Sequence, residues 1–288
     1  MNSTQFPVGA VVVAVDGSEE ASRAVSWAAR DAQLEGRPLA VVHVGGNQAT
    51  GPPVLADAIA VAHEQDPELD VHARSATGQP AEVLVELSER AHLLVLGSRG
   101  LGGVRSRVLG SVSMAVAAHA VCPVVICRPT DEPFAKTALV VGADGSEDSL
   151  PVIEFAFRQA ELRQMPLHVV HCYADASTRH WRRSTPVDKD GLRLMLAESV
   201  AGMADKFPDV TVTLRLDNDT VAEALNRGMR PWEMVVVGRR RVSDPHRERP
   251  GTAADVLTHS DSPVAIVPEL GTTAPEPHQR GASRKEPS

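Results

Sequence analysis

The sequence predicts an α/β protein of two tandem domains, each a doubly wound, Rossmann-like fold on a five-stranded parallel sheet. Three observations lead to this prediction. The length of 288 residues suits two domains of ordinary size. The chain repeats itself, because the Asp-Gly-Ser-Glu stretch at 16–19 returns at 144–147. In both halves, short apolar runs alternate with stretches of helical spacing.

The first half supports this alternation element by element. Ala10–Val15 is a continuous apolar run, as expected for a strand buried on both faces, and Ala21–Glu35 carries alanines at helical spacing. The remaining predicted elements are, in order, strand Leu39–Val44, helix Val54–Glu64, strand Val71–Ser75, helix Pro80–Ala91, strand Leu93–Leu96, helix Ser111–His119 and strand Val124–Cys127. The second half repeats this order.

Composition divides the chain into three segments. Residues 1–130 form a first predicted domain, residues 131–270 a second, and residues 271–288 a tail. The polar, proline-containing stretch 128–136 predicts a linker between the domains. The tail is rich in proline, glycine, serine and charge and has no apolar period, which predicts disorder.

Composition also excludes several classes of protein. The formal net charge of −8 provides no basic footprint for nucleic acid, and no apolar run approaches the ~18 residues that a membrane span requires. We identify no signal peptide before the first strand, and three cysteines are too few for a disulfide framework. The sequence therefore predicts a cytoplasmic protein that binds neither nucleic acid nor membrane.

A glycine-rich loop after the fourth strand is the most informative part of the sequence. Residues 97–113 contain four glycines before Arg105, three arginines and no acidic residue, and a helix is predicted to begin at Ser111. Glycines allow a ligand to approach the backbone closely, and a helix N-terminus presents unpaired N–H groups to anions. The composition therefore fits a phosphate cradle, and it fits equally a flexible loop with solvated arginines.

Other nucleotide and catalytic motifs are absent from the sequence. There is no GxxxxGK[ST] sequence, no GxGxxG after the first strand and no GxSxG elbow. His43 and His171 fall at equivalent strand ends, where a packed imidazole is favoured over a general base. Cys122 and Cys127 lack a second pair for zinc. The sequence thus provides no catalytic residue and no metal site.

One spacing connects this loop to a known family. Gly97-x2-Gly100-x9-Gly110-Ser111 matches the G-x2-G-x9-G-(S/T) motif of nucleotide-binding members of the universal stress protein family. The sequence resembles this family, in its tandem-domain form, from Gly9 to Glu269. The resemblance implies an adenine nucleotide alpha hydrolase-like fold and an ATP site, with or without Mg²⁺.

The resemblance also implies roles for ten residues of the first half. From adenine to phosphate they are Val15, Asp16, Val44, Gly97, Arg99, Gly100, Gly110, Ser111, Val112 and Ser113. The first three would surround adenine and ribose, the next three would line the ribose–phosphate path, and the last four would hold the phosphates. From its residue type alone, Asp16 could accept from a sugar hydroxyl, help to hold Mg²⁺ or cap the following helix.

The second half keeps the spacing with one change. Gly238-x2-Arg241-x9-Gly251-Thr252 has Arg241 in place of the middle glycine, so a side chain either blocks close approach or holds phosphate by charge. The corresponding candidates are Asp144, Cys172, Gly238, Gly251 and Thr252. We therefore expect a weakened or altered site.

These observations predict an ATP-binding regulatory or stress-response module with little or no turnover. We expect a homodimer that acts through a regulatory protein partner. Two alternatives stay open, a slow ATP hydrolase or adenylyl-transfer enzyme and a structural pseudo-dimer that binds no nucleotide. The resemblance further implies that the last strands of the halves, Val124–Cys127 and Val264–Val267, pair with each other.

Overall fold

A computed structural model describes residues 6–45, 51–100, 109–128, 137–173, 188–226, 232–239 and 252–270. Residues 129–136 of the predicted linker and the whole predicted tail lie outside this part of the chain. The strands are β1 (Val11–Ala14), β2 (Leu39–Val44), β3 (Val71–Ala76), β4 (Leu93–Gly97), β5 (Val124–Cys127), β6 (Leu139–Gly142), β7 (Leu167–Cys172), β8 (Val212–Asp217), β9 (Met234–Arg239) and β10 (Val264–Pro268). The helices are α1 (Glu19–Glu35), α2 (Gly51–Gln65), α3 (Pro80–Ser88), α4 (Ser111–His119), α5 (Leu150–Arg163), α6 (Lys189–Lys206), α7 (Val221–Asn226) and α8 (Thr252–His259).

The strands form a single sheet in the order β3-β2-β1-β4-β5-β10-β9-β6-β7-β8. Pairing is parallel within each half, whereas β5 and β10 pair antiparallel with Val125 opposite Ala265. The predicted α/β class with a parallel sheet in each half is confirmed, and so is the predicted pairing of the last strands. The two five-stranded sheets are continuous because this pairing joins their edges, which would otherwise be exposed.

Helices cover both faces of the sheet because successive strand residues point to opposite sides. Val11 and Val13 belong to one core, which also contains residues of α1, α2, α5 and α6. Val12 belongs to the other, which contains residues of α3, α4, α7 and α8. The central strands are therefore buried on both faces, which explains their continuous apolar sequences. Among the described residues, no helix combines the length and apolar character that crossing a bilayer requires.

The strand order reverses between β1 and β4. From β1 the chain moves outward through β2 to β3, and then returns to β4 on the other side of β1 and moves on to β5. The helices that leave β1 and β4 therefore lie on opposite faces, and a crevice forms at the carboxyl ends of these strands. The β1–α1 turn and residues 97–100 of the glycine-rich loop lie at this crevice.

Charged side chains are buried where α1 meets α5. Arg163 donates to Asp31 at 2.8 Å, and both side chains are at most 1% exposed. Burial raises the pKa of Asp31 despite this partner. Arg158 bonds both carboxylate oxygens of Glu35 at 3.1 Å. Burial alone would raise the pKa of Glu35, but hydrogen bonds from His92 and Arg158 lower it to about 2. These contacts join the two halves on the α1–α5 face.

Candidate functional site

Among the described residues, no side chain caps the N-terminus of α4. Gly110 occupies the N-cap position with extended backbone (φ −65°, ψ 147°), and its carbonyl accepts the N–H of Met114 at 3.0 Å. The N–H groups of residues 111–113 precede this first helical bond and have no helical acceptor. In α1, by contrast, the Ser18 hydroxyl accepts from the Ala21 N–H at 3.2 Å. The start of α4 is thus suited to an anion.

The described structure does not require a glycine at position 110. Its φ and ψ suit any residue, so its backbone conformation does not demand glycine. Among the described residues, a Cβ placed there would lie 3.5 Å from the Ser98 carbonyl oxygen and 3.6 Å from the Arg99 Cα, which are ordinary contacts. A glycine that neither strain nor crowding explains leaves room for a ligand close to the backbone.

Two hydrogen bonds attach the start of α4 to the end of β4. The Ser113 hydroxyl, which is buried, donates to the Gly97 carbonyl at 2.8 Å. The Gly110 N–H donates to the Ser98 carbonyl at 2.9 Å. The Ser113 hydroxyl proton is therefore engaged within the protein, while Ser111 at the first helical position is exposed. Loop residues 101–108, with Arg105 and Arg107, lie outside the described residues.

The first two motif glycines contact the β1–α1 turn. A Cβ at Gly97 would lie 2.9 Å from the backbone carbon of Glu20, so β4 can approach α1 only through glycine. A Cβ at Gly100 would lie 2.3 Å from Asp16 Oδ2. Arg99 forms an ion pair with Glu20 at 3.2 Å. The sequence analysis did not predict Glu20 as a site residue, because Glu20 reaches the motif only through the packing of β4 against α1.

Asp16 organises the turn between β1 and α1. Its Oδ1 accepts from the Ser18 N–H at 3.0 Å, and Gly17 adopts a left-handed φ of +88°. The alternative that Asp16 caps α1 is wrong, because the capping oxygen belongs to Ser18. The other carboxylate oxygen lies beside Gly100, so Asp16 lies between β1 and the glycine-rich loop.

Val15 and Val44 lie at the ends of neighbouring strands. The Val15 N–H donates to the Val42 carbonyl at 2.9 Å, and its own carbonyl accepts from His43 Nδ1 at 2.9 Å. The expectation that His43 is a packed imidazole is confirmed, since it is 8% exposed. A cavity of about 410 Å³ between α1 and α2 has Val15 on its wall, but not Asp16 or Val44. Its α2 residues have no distinguishing sequence signal.

Comparison with known proteins identifies the family. The universal stress protein family model matches residues 8–128 and again residues 137–268. The chain belongs to the universal stress protein family. Universal stress protein Rv2623 of Mycobacterium tuberculosis is 32% identical over 265 residues, which are 83% of this chain and 89% of the relative.

A solved structure agrees with this chain at the level of the fold. A universal stress protein from Archaeoglobus fulgidus superposes with a TM-score of 0.63 at 19% identity, over 92% of this chain and 97% of that chain. A further universal stress protein, solved in complex with cAMP, is 32% identical over 42% of this chain and 97% of its own, with a TM-score of 0.37.

The second half of this universal stress protein repeats the turn but crowds the site. Asp144 Oδ1 accepts from the Ser146 N–H at 2.9 Å, as Asp16 does from Ser18. A Cβ at Gly145 would lie 2.7 Å from the Met195 side chain. The corresponding distance from Gly17 to Val54 is 3.2 Å. The α6 side chain therefore packs tightly against the second turn.

A carboxylate covers the end of β9. A Cβ at Gly238 would lie 2.3 Å from Glu269 Oε1, where the equivalent Gly97 contacts helix backbone. Burial and the neighbouring Asp217 raise the pKa of the Cys172 thiol to about 11. Thr252 begins α8 and is exposed, whereas Gly251 and Arg241 lie outside the described residues. An acidic group at Gly238 disfavours an anionic ligand there.

Proposed function

We propose that the first half of the chain binds ATP in the crevice between β1 and β4, and that the protein acts as a nucleotide-dependent regulatory module in a stress response. The observation that carries this proposal is Gly110, a glycine with ordinary backbone angles at a helix N-terminus that no described side chain caps or crowds. It stands in a full G-x2-G-x9-G-S motif of a universal stress protein.

The described residues fit the parts of the nucleotide. The N–H groups of residues 111–113 and the exposed Ser111 hydroxyl would bind the phosphates. Asp16, held beside Gly100, would accept from a ribose hydroxyl. The backbone of Val15 and Val44 at the strand ends would border the adenine. The ion pair of Arg99 with Glu20 would hold the loop against α1 along the ribose–phosphate path.

A magnesium ion would depend on the nucleotide for most of its ligands. In the described ranges, no three histidine, cysteine or carboxylate side chains cluster where they could share a metal. Mg²⁺ prefers oxygen and is commonly held by one or two carboxylates together with substrate phosphates. Asp16 and Glu20 both lie beside the motif, and Glu20 is paired with Arg99, so we assign the metal-binding role to Asp16 when ATP is bound with the ion.

Little or no turnover is part of the proposal. Hydrolysis needs a base within hydrogen-bond reach of the attacking water. The His43 imidazole at the end of β2 is buried and donates to the Val15 carbonyl, which supports a packing role. Steady ADP release by the purified chain, abolished by Asp16→Ala, would instead support the hydrolase alternative.

Gly110→Ala tests the proposal most directly. The described residues leave space for the added methyl group, so the variant should keep its melting temperature. The methyl group would occupy the space next to the phosphates, and we expect the Kd for ATP to rise at least about tenfold, or about 1.4 kcal/mol. Isothermal titration measures the affinity. Undiminished ATP affinity in the folded variant would contradict the placement.

A matched control is Gly202→Ala. Gly202 lies in α6, and no described atom comes within 4 Å of the place where its Cβ would stand, so the same change adds a methyl group far from the motif. We expect ATP affinity equal to that of the unaltered chain and a slightly higher stability, by up to about 1 kcal/mol, because alanine favours the helix.

A further inference from the structure

An arginine from the second half reaches the C-terminus of α4. Arg239, the last residue of β9, donates from one guanidinium nitrogen to the Ala118 carbonyl and from another to the Ala120 carbonyl. Carbonyl groups in the last turn of a helix have no helical donor. Arg239 thus supplies a forked pair of donors to a helix whose other end is the proposed phosphate site.

The reciprocal contact exists on the other side of the seam. Arg128, which follows β5, donates to the Leu257 carbonyl in α8. Each half therefore holds the last helix of the other half near its C-terminus, on either side of the antiparallel β5–β10 pair. The two contacts are not symmetry copies, because the position of the first half that corresponds to Arg239 is Ser98, whose hydroxyl is buried.

Helix α4 is attached to β4 at its start through Ser113 and Gly110, and Arg239 attaches its C-terminal end. It has nine residues, and its buried ones are Ser113, Val116 and Ala117, which are small. At 1.5 Å per residue the helix is about 13 Å long, so a small tilt at one end shifts the N–H groups at the other. A cation at a helix C-terminus also complements the helix dipole. Arg239 therefore fixes the orientation of α4 through two hydrogen bonds and places a positive charge at its C-terminus.

We propose that Arg239 is a positioning residue for ATP binding in the first half, acting through α4 without touching the nucleotide. The inference rests on the proposed function. Arg239 directly follows Gly238, the first glycine of the second motif. The motif of the second half is thus linked through one side chain to the phosphate-binding helix of the first half, and affinity in the first half depends on the second.

Binding of ATP and of adenosine should separate this role from general stability. Adenosine lacks the phosphates that α4 would hold, so it reports on the adenine and ribose contacts alone. Isothermal titration of Arg239→Ala should give a Kd for ATP raised about fivefold to tenfold and an unchanged Kd for adenosine. Arg239→Lys keeps the charge but loses the fork, and it should recover part of the ATP affinity.

Arg215→Ala is the matched control. Arg215 also donates to a helix carbonyl, that of Ala224 in α7 at 2.7 Å, and no hydrogen bond or ion pair of the described residues joins it to α4 or to the first motif. We expect this variant to bind ATP as the unaltered chain does.

Three results would overturn the inference, and they are distinguishable. If the unaltered chain binds no ATP, the proposed function fails and this inference with it. If the unaltered chain binds ATP and Arg239→Ala binds it equally well, only the role of Arg239 fails. If Arg239→Ala weakens ATP and adenosine alike and lysine restores neither, Arg239 serves general stability and has no positioning role.

Discussion

Asp16 and Gly100 lie against each other although 84 positions separate them in the chain, and a Cβ on the glycine would come within 2.3 Å of Asp16 Oδ2. The acidic residue at the end of β1 and the middle glycine of the motif are therefore one structural unit. The absence of a side chain at Gly100 lets the carboxylate occupy the crevice at the switch point between β1 and β4.

Gly100→Ala should displace the Asp16 carboxylate. Gly100 is exposed and Asp16 half-buried, so the fold has room to adjust and the melting temperature should change little. We expect the Kd for ATP to rise about tenfold, because the carboxylate leaves the position from which we propose that it contacts the ribose. Isothermal titration of the variant measures this change.

The double variant Asp16→Ala/Gly100→Ala provides the control. If the glycine acts through the carboxylate, its substitution should add little once the carboxylate is gone, so the two effects should not be additive. Fully additive losses would show that Gly100 contributes independently of Asp16.

Local sequence signals predicted the helices and strands, but they did not predict the tertiary contacts. The predicted bounds of β2, α4 and β5 equal those observed, since apolar runs and a Gly-Ser helix start are local features. The hydrogen bond from Arg239 to Ala118 joins residues that are 121 positions apart in the sequence. Glu269 comes close to Gly238 only in the folded chain. No local pattern encodes such contacts. Homodimerisation and the partner protein remain predictions.

Glu269→Ala should strengthen ATP binding in the second half. The Glu269 carboxylate covers Gly238, so its removal would take away both bulk and negative charge from the end of β9. The measurement is best made with Gly110→Ala present, so that the weakened first half contributes less to the binding that is measured. We expect residual affinity to rise at least about threefold.

Glu198→Ala is a charge-matched control for this change, because Glu198 is an exposed residue of α6. It removes the same charge from the protein without uncovering β9. An equal gain in both variants would mean that net charge, and not the cover over Gly238, limits binding.

The ion pairs between α1 and α5 should make stability depend on pH in acid. The pKa of Glu35 is lowered to about 2 in the folded chain from an ordinary 4.5. A lowered pKa favours the folded state above the unfolded pKa, and this contribution is lost as pH falls from about 4.5 to about 2. Glu35→Gln should therefore cost up to about 3 kcal/mol of unfolding free energy at pH 7.

The difference in unfolding free energy between the unaltered chain and Glu35→Gln should become smaller as the pH falls through that window. Urea unfolding at several pH values measures it. Glu154→Gln is the control, because Glu154 pairs with Lys206 on the surface and both side chains are about half exposed. Such a surface pair contributes at most about 1 kcal/mol to the free energy of unfolding. A Glu35→Gln cost that stays constant from pH 7 to pH 3 would mean that packing, not ionisation, explains it.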